Sequence, residues 1–228
     1  MYSNKQQNHI IKDRKKLNLP KLYWKIEGHP NDYKQVDRIF DNIVGDFRYN
    51  WYFKNVMFFD PEYNLAYFFD RILLTRRSLI FIKHQQIKSQ VKGNLSDQYW
   101  NVKVNTRSPK TITNPIVRQQ FMINRIINIL NVRLFLKTAT WNVVLVSESK
   151  NLDVKYDRKN ASNIKLFDLK YDNNLQGIID TLLKEDAQSK DIFLDETILN
   201  IYQALSSHAG YNKHSDKDLA MYGLYHRI

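Results

Sequence analysis

The apolar residues of this chain occur in short runs. Runs such as residues 79–82 and 143–146 are far below the roughly 20 apolar residues that a membrane-spanning helix needs. Short runs rich in β-branched and aromatic residues, bounded by turn-forming residues, are typical of strands buried in a sheet. The chain is therefore expected to form a soluble domain in which such strands alternate with amphipathic helices.

Length and composition indicate one globular domain, or one domain with an appended subdomain. The chain has 228 residues, of which 43% are hydrophobic and 13% aromatic, enough to bury a core without covalent staples. It contains no cysteine, which excludes disulfides, thiolate metal ligands and cysteine nucleophiles and fits a reducing compartment. The basic N-terminus is not followed by an apolar region, so we expect no secretion signal and a cytoplasmic protein.

Helix and strand patterns follow one another in a definite order. Apolar spacing, caps and turn signals predict a helix at 32–44, strands at 51–59, 66–75 and 79–85, a β-hairpin continuing to 104, a helix from Asn114-Pro115 to about 130, strands at 141–147 and 164–169, and helices at 175–185 and 194–207. The core order, α-β-β-β-α-β, is that of the restriction-endonuclease-like fold. The predicted fold class is therefore α/β, with that core, an inserted β-hairpin, and a C-terminal strand plus two helices.

The positive charge of the chain is concentrated in its middle. The formal net charge is +12, and residues 71–140 alone hold 13 basic side chains against one acidic residue, Asp97. The segments before and after this basic block carry +2 and −2. A nucleic acid is the natural partner for such a block, because neutralising phosphates releases condensed counterions. A solvated basic surface without a ligand is the alternative.

Five short motifs occur in a fixed order in and around this block. They are Phe69-Asp70-Arg71-Ile72-Leu73-Leu74-Thr75, Ser78-Leu79-Ile80-Phe81-Ile82, Val91-Lys92-Gly93, Trp100 and Asn114-Pro115-Ile116. Together they resemble the NERD (nuclease-related) domain over about residues 32–147. The resemblance implies the PD-(D/E)xK superfamily, which cleaves phosphodiesters with a divalent metal. It divides the chain into a basic, partly disordered lead-in (1–31), a NERD-like core (32–147) and a C-terminal α/β extension packed on that core (148–228).

The resemblance points to a degenerate active site. In that superfamily an Asp and a Glu on neighbouring strands hold Mg²⁺, and a Lys two residues after the Glu helps to orient the attacking water. Asp70 matches the first acid, but Lys83 stands at the Glu position and Gln85 at the Lys position. Because a cation there repels a metal ion, we expect an Asp70–Lys83 ion pair and no cofactor. If cleavage persists, Mg²⁺ would be bound by Asp70 and a migrated acid. The candidates for that acid are Asp37, Asp60 and Glu62.

We therefore predict a nuclease-derived domain that binds nucleic acid, DNA in preference to RNA, without cleaving it. An active Mg²⁺-dependent nuclease is one alternative. The other is a protein-interaction module of a DNA-processing or defence system, in which the C-terminal helices bind a protein partner or mediate homo-oligomer formation. The predicted nucleic-acid-binding residues are Arg76, Arg77, Lys88, Lys92, Tyr99, Lys103, Arg118, Gln119 and Arg125. Tyr99 is the candidate for stacking on an unpaired base, whereas Trp100 is expected in the core.

Overall fold

A six-stranded mixed sheet forms the centre of the structure, and a second sheet of four strands packs beside it. This computed structural model describes residues 25–27, 34–45, 51–60, 65–103, 110–129, 140–155, 163–169, 175–189 and 192–208. The strands are β1 (Lys25–Glu27), β2 (Trp51–Asp60), β3 (Leu65–Leu74), β4 (Leu79–Gln86), β5 (Gln90–Asn94), β6 (Tyr99–Lys103), β7 (Lys110–Thr113), β8 (Thr140–Ser147), β9 (Asn151–Lys155) and β10 (Ile164–Asp168). The helices are α1 (Lys34–Gly45), α2 (Pro115–Ile129), α3 (Leu175–Ala187) and α4 (Asp195–His208).

The central sheet combines an antiparallel half with a parallel half. Its order is β1-β3-β4-β8-β10, with β2 also paired to β3. The strands β2, β3 and β4 follow one another as antiparallel neighbours, whereas β8 lies parallel to both β4 and β10. Parallel neighbours need a crossover connection, and helix α2 lies in the one between β4 and β8. The fold is therefore mixed α/β.

The two faces of the central sheet are covered by different helices. On one face, Val36 and Phe40 of α1 and Ile179 of α3 join a core cluster with residues of β4 and β8. On the other face, Ile123 of α2 and Ile198 of α4 join a second cluster with residues of β2, β3 and β4. Each helix presents an apolar stripe with the period of an α-helix, so burial of these stripes explains the layered arrangement.

The sequence pattern predicts a β-hairpin of two strands, but the structure has a sheet of four strands at this position. Its order is β7-β6-β5-β9, in which the antiparallel pair β5–β6 is the predicted hairpin and the outer strands were missed. Strand β7 has four residues and β9 pairs in parallel with β5, a long-range pairing that local alternation does not predict. The inner face of this sheet, including Val91, Trp100 and Val102, packs against Val144 and Val146 of β8.

Strand β1 was not predicted, and the bounds of the remaining elements agree with the sequence patterns to within two residues. The predicted helix start at Asn114-Pro115 is confirmed, because the amide of Ile116 donates to Asn114 Oδ1 at 2.9 Å, as in an N-cap. The predicted partial disorder of residues 1–31 concerns residues that lie outside the described part of the chain, apart from β1.

Gly93 provides the first testable prediction, which concerns the stability of the second sheet. A Cβ atom at this position would lie 2.6 Å from Cδ1 of the buried Trp100 ring. The Gly93→Ala variant should therefore lose about 1–3 kcal/mol of unfolding free energy through overpacking, measured by urea denaturation. The exposed Asn101→Ala variant on the next strand is the control and should unfold at the wild-type urea concentration. Equal stability of Gly93→Ala and wild type would contradict this packing.

Candidate nucleic-acid interface and the Asp70 site

Asp70 lies where β3 changes partners along one of its edges. That edge pairs with β1 at residues 65–67 and with β4 at residues 71–74, so Asp70 falls between the two ladders. The β4 residue opposite it is Lys83, one step beyond the last paired residues, Arg71 and Ile82. Asp70 and Lys83 are therefore opposite each other just beyond the end of the β3–β4 ladder.

On the other edge of β3, the ladder with β2 skips the Asn55–Asp70 pair, although the register is the same on either side of it. Asn55 has a φ of 51°, a left-handed conformation that asparagine tolerates better than most residues. Phe69 and Ile72 both enter the same core cluster, whereas strict alternation would place residues three apart on opposite faces. The strands therefore change faces at Asp70, without an inserted residue.

The Asp70 carboxylate is buried and compensated by a buried cation. Its side chain is 0% exposed and that of Lys83 is 9% exposed, with Lys83 Nζ 3.8 Å from Asp70 Oδ2. The backbone amide of His84 donates to the same oxygen at 3.0 Å. A buried carboxylate without such partners would be strongly destabilising, and Lys83 and the β4 amide together compensate the burial of Asp70.

The residues at this position do not fit a Mg²⁺ site. Magnesium ions take oxygen ligands, but the strand next to Asp70 brings an ammonium group to 3.8 Å, and Gln85 lies half-buried beyond it. In the described part of the chain, no group of three or more Asp, Glu or His side chains comes together that could hold a metal ion. A divalent metal ion at Asp70 would therefore be repelled by the Lys83 ammonium group.

Two of the acids considered as migrated ligands are held by arginine and tyrosine. Asp37 accepts hydrogen bonds from Arg71 Nε at 2.8 Å and from the Tyr52 hydroxyl at 2.6 Å. Asp60, only 1% exposed, is bound in the same way by Arg125 Nε at 2.7 Å and by the Tyr67 hydroxyl at 3.1 Å. Burial, aided by the neighbouring carboxylate, raises the pKa of each tyrosine above its ordinary value. The third candidate, Glu62, lies outside the described residues.

His84 lies on the opposite face of β4 from Lys83 and contacts Ser147. Its Nε2 atom is 2.7 Å from Ser147 Oγ, the distance of a serine–histidine pair in a hydrolase. Burial, together with the positive charges of Arg71 and Lys83, lowers the pKa of His84 to about 4. These cations oppose the imidazolium that forms when histidine takes a proton from serine, so the pair is a poor nucleophile and its hydrogen bond joins β4 to β8.

The basic block is partly neutralised by acids from other parts of the chain. Six of its basic side chains form ion pairs in the described structure, and all six acidic partners lie outside residues 71–140. The pairs are Arg71–Asp37, Arg76–Asp195, Lys83–Asp70, Lys88–Glu148, Lys92–Asp153 and Arg125–Asp60. Part of the charge that is concentrated along the sequence is therefore paired with acids in the fold. Arg107, Arg133 and Lys137 of the block lie outside the described residues.

Several predicted nucleic-acid-binding residues are held within the protein. Gln119 is 2% exposed and its Nε2 donates to the carbonyl oxygen of Phe81 at 2.9 Å, so it joins α2 to β4. The Arg77 guanidinium donates to the carbonyl oxygen of Ser189. Arg118 is half-buried in the first turns of α2, and Arg125 is 16% exposed against Asp60. Both predicted nucleic-acid-binding arginines of α2, Arg118 and Arg125, are thus partly buried.

The outer face of the second sheet brings other predicted residues together. Tyr99, Lys103 and Lys92 alternate with buried residues of β5 and β6 and are all exposed. The register places Lys92 opposite Asn101 and Asn94 opposite Lys155 of β9. Lys155 was missed by sequence reasoning because β9 was not predicted. The alternation of Leu152 and Val154 with polar residues is the signal that could have found it.

This outer face is polar, with a small excess of positive charge. Its members come from all four strands and carry three lysines, four side-chain amides, two threonines, one tyrosine and one acid. They are Gln90, Lys92, Asn94, Tyr99, Asn101, Lys103, Thr111, Thr113, Asn151, Asp153 and Lys155. We call this set the outer face. It offers lysines for phosphates and amides for base edges.

Comparisons with known proteins give no relative for this chain. No protein-family model, no curated protein and no solved structure matches it. Within the described residues, none of the helices is both long and apolar enough to cross a membrane.

The buried Asp70–Lys83 pair gives the second prediction. Asp70→Asn and Lys83→Met should each cost about 3–5 kcal/mol of unfolding free energy, because each leaves one buried charge uncompensated. The double variant should cost less than the sum by about 1–3 kcal/mol, as measured by urea denaturation. The exposed pair Arg76–Asp195, with side chains 52% and 60% exposed, is the control, and its cycle should show no measurable coupling. Additive losses at residues 70 and 83 would contradict a direct ion pair.

Proposed function

We propose that this chain binds nucleic acid, DNA in preference to RNA, through a nuclease-derived domain that does not cleave phosphodiesters. The observation that carries the proposal is the outer face, where exposed lysines, amides and Tyr99 lie side by side. The preference for DNA rests on the resemblance to the nuclease-related family alone.

A nuclease ancestry is supported by the order of the central elements. From α1 to β8 the described elements follow the order α-β-β-β-α-β, apart from the strands of the second sheet, with an antiparallel meander followed by a parallel strand. This is the arrangement expected for a restriction-endonuclease-like core. The loss of cleavage is supported by Lys83, whose ammonium group lies against Asp70 where the second acid of a metal site is expected.

Binding through the outer face should depend on salt and on three lysines. A fluorescein-labelled oligonucleotide should bind the wild type at low salt, with an affinity that falls as salt rises. Removing Lys92, Lys103 and Lys155 together by alanine substitution should lower the log–log salt slope by about 2–3, since each phosphate contact contributes about 0.7–0.9. Fluorescence anisotropy between low and physiological salt measures both quantities.

A triple variant of equal charge change provides the control. Lys34, Lys54 and Lys184 belong to α1, β2 and α3, away from the outer face, and their replacement by alanine should leave the slope within about half a unit. Equal losses in both triple variants would indicate a general charge effect and contradict the outer face as the binding site. A protein that binds no oligonucleotide at low salt would overturn the proposal. It would favour the protein-interaction alternative, for which the exposed Leu194 and Leu199 at the start of α4 are the candidate contact.

The absence of cleavage is tested with supercoiled plasmid. The wild type should not nick the plasmid in Mg²⁺ or Mn²⁺, because Lys83 repels a metal ion from Asp70. The Lys83→Glu/Gln85→Lys variant, which restores the acid-x-lysine pattern, should melt at a lower temperature than wild type without metal and be stabilised by Mn²⁺, as two buried carboxylates repel until a cation binds. Nicking by the wild type that disappears in Asp70→Asn would show that the enzyme is active.

A further inference from the structure

The outer face of the second sheet suggests which form of nucleic acid is bound. Building on the proposed function, we infer that a single strand lies across this face with one of its bases stacked on Tyr99. Three features of the described residues carry the inference: the exposure of the Tyr99 ring among short polar neighbours, the rigid support beneath it, and the breadth of the sheet.

The Tyr99 ring is unusually exposed for a large side chain within a sheet. It is 52% exposed, and among the described residues only Ile192, Leu194 and Leu199 are large hydrophobics with a higher exposure. Its cross-strand neighbour on β7 is Thr113, and the β5 position next to it is Asn94. Both neighbours are short, so the aromatic ring rises above them. Base stacking on an aromatic ring is the contact that single-strand binders use irrespective of sequence.

The support beneath Tyr99 is rigid. The adjacent Trp100 is completely buried. Its Cδ1 atom lies 2.6 Å from the position that a Cβ of Gly93 would take, and its Nε1 donates to the carbonyl oxygen of Asn94 at 2.9 Å. The turn between β5 and β6 is also fixed to the start of α2, because Asn114 Nδ2 donates to the carbonyl oxygens of Leu95 and Asp97 at 2.9 and 2.7 Å. A surface ordered in advance loses less conformational entropy when a ligand binds.

Phosphate and base contacts are available around the ring. Lys103 lies four residues along β6 from Tyr99, about 14 Å away at the rise of an antiparallel strand. Lys92 and Asn101 lie side by side between them, in paired positions of β5 and β6. A strand that crosses the face from Tyr99 toward Lys103 would thus meet amides and cations in succession. The only acid of the outer face, Asp153, is 3.6 Å from Lys92, at the β9 side of this path.

The breadth of the sheet disfavours a duplex ligand. Four strands at about 4.8 Å spacing make a face roughly 14 Å across between the outermost strand axes, before side chains are added. The major groove of B-DNA, about 12 Å wide, admits a helix or a two-stranded ribbon. In a duplex the faces of the bases are also covered by their neighbours, so Tyr99 could stack only on a base that is unpaired.

The experiment compares oligonucleotides and Tyr99 variants by fluorescence anisotropy. The probes are a labelled mixed-sequence DNA single strand, its duplex, and the RNA single strand of the same sequence. The wild type should bind the single-stranded DNA at least about tenfold more tightly than the duplex. Tyr99→Ala should weaken binding of the single strand by about tenfold to hundredfold, and Tyr99→Phe, which keeps the ring, by no more than about twofold. The RNA strand shows whether the same stacking serves both nucleic acids.

Phe121 supplies the matched control, since it is another exposed aromatic, 47% exposed on α2. Phe121→Ala should bind the single strand with wild-type affinity. As an independent readout, a strand containing 5-iododeoxyuridine should photocrosslink to the peptide that contains Tyr99. Equal affinity for duplex and single strand together with wild-type binding by Tyr99→Ala would overturn the inference and leave the proposed function standing. If none of the oligonucleotides binds, the proposed function itself fails.

Discussion

The structure depends on the way in which β3 changes partners around a buried carboxylate. Strand β3 is paired along one edge by β2, and its other edge is shared between β1 and β4. Asp70 sits at the gap in both ladders, so its carboxylate meets backbone and side-chain groups that a continuous sheet would not offer. One of these is the amide of His84. A charge buried at such a gap needs a partner, and Lys83 from the strand across the gap is the partner that this chain supplies.

The same ion pair places a cation of the protein itself where a metal ion would bind Asp70. A carboxylate at a gap between strands is well placed to hold a cation, and here the cation is covalently part of the chain. An ammonium group is compact and monovalent, and it brings its own four-carbon stem into the apolar interior. It therefore satisfies the carboxylate without the additional oxygen ligands that a divalent ion requires. Lys83 therefore compensates the buried carboxylate of Asp70, as a bound metal ion would.

Sequence reasoning predicted most of the elements and the Asp70–Lys83 ion pair, which the structure confirms. It did not predict the acids that pair with Arg71 and Arg125. Helix α1 is predicted by the spacing of its apolar residues and by its capping residue, and strand β4 by its run of apolar residues. All of these signals are local. Strand β9 was missed because its pairing with β5 joins residues about 60 positions apart, and its only local signal is the short alternation of Leu152 and Val154 with polar residues. The acids that neutralise Arg71, Lys83 and Arg125 come from α1, β3 and β2. Net charge counted along the chain therefore overstated the basic surface that the fold exposes.

The basic side chains fall into two groups, those that pair with carboxylates in the core and those that are exposed on the second sheet. Arg71, Arg125 and Lys83 stabilise buried or half-buried carboxylates, so they are bound to the core and unable to move toward a phosphate without leaving a buried acid uncompensated. Lys92 and Lys103 lie on a second sheet whose inner face is packed through Trp100 and Val102. Their exposed ammonium groups can exchange water or a carboxylate for phosphate at little cost. The buried cations thus contribute to stability, whereas the exposed lysines of the outer face can make the phosphate contacts that we propose without leaving a buried acid uncompensated.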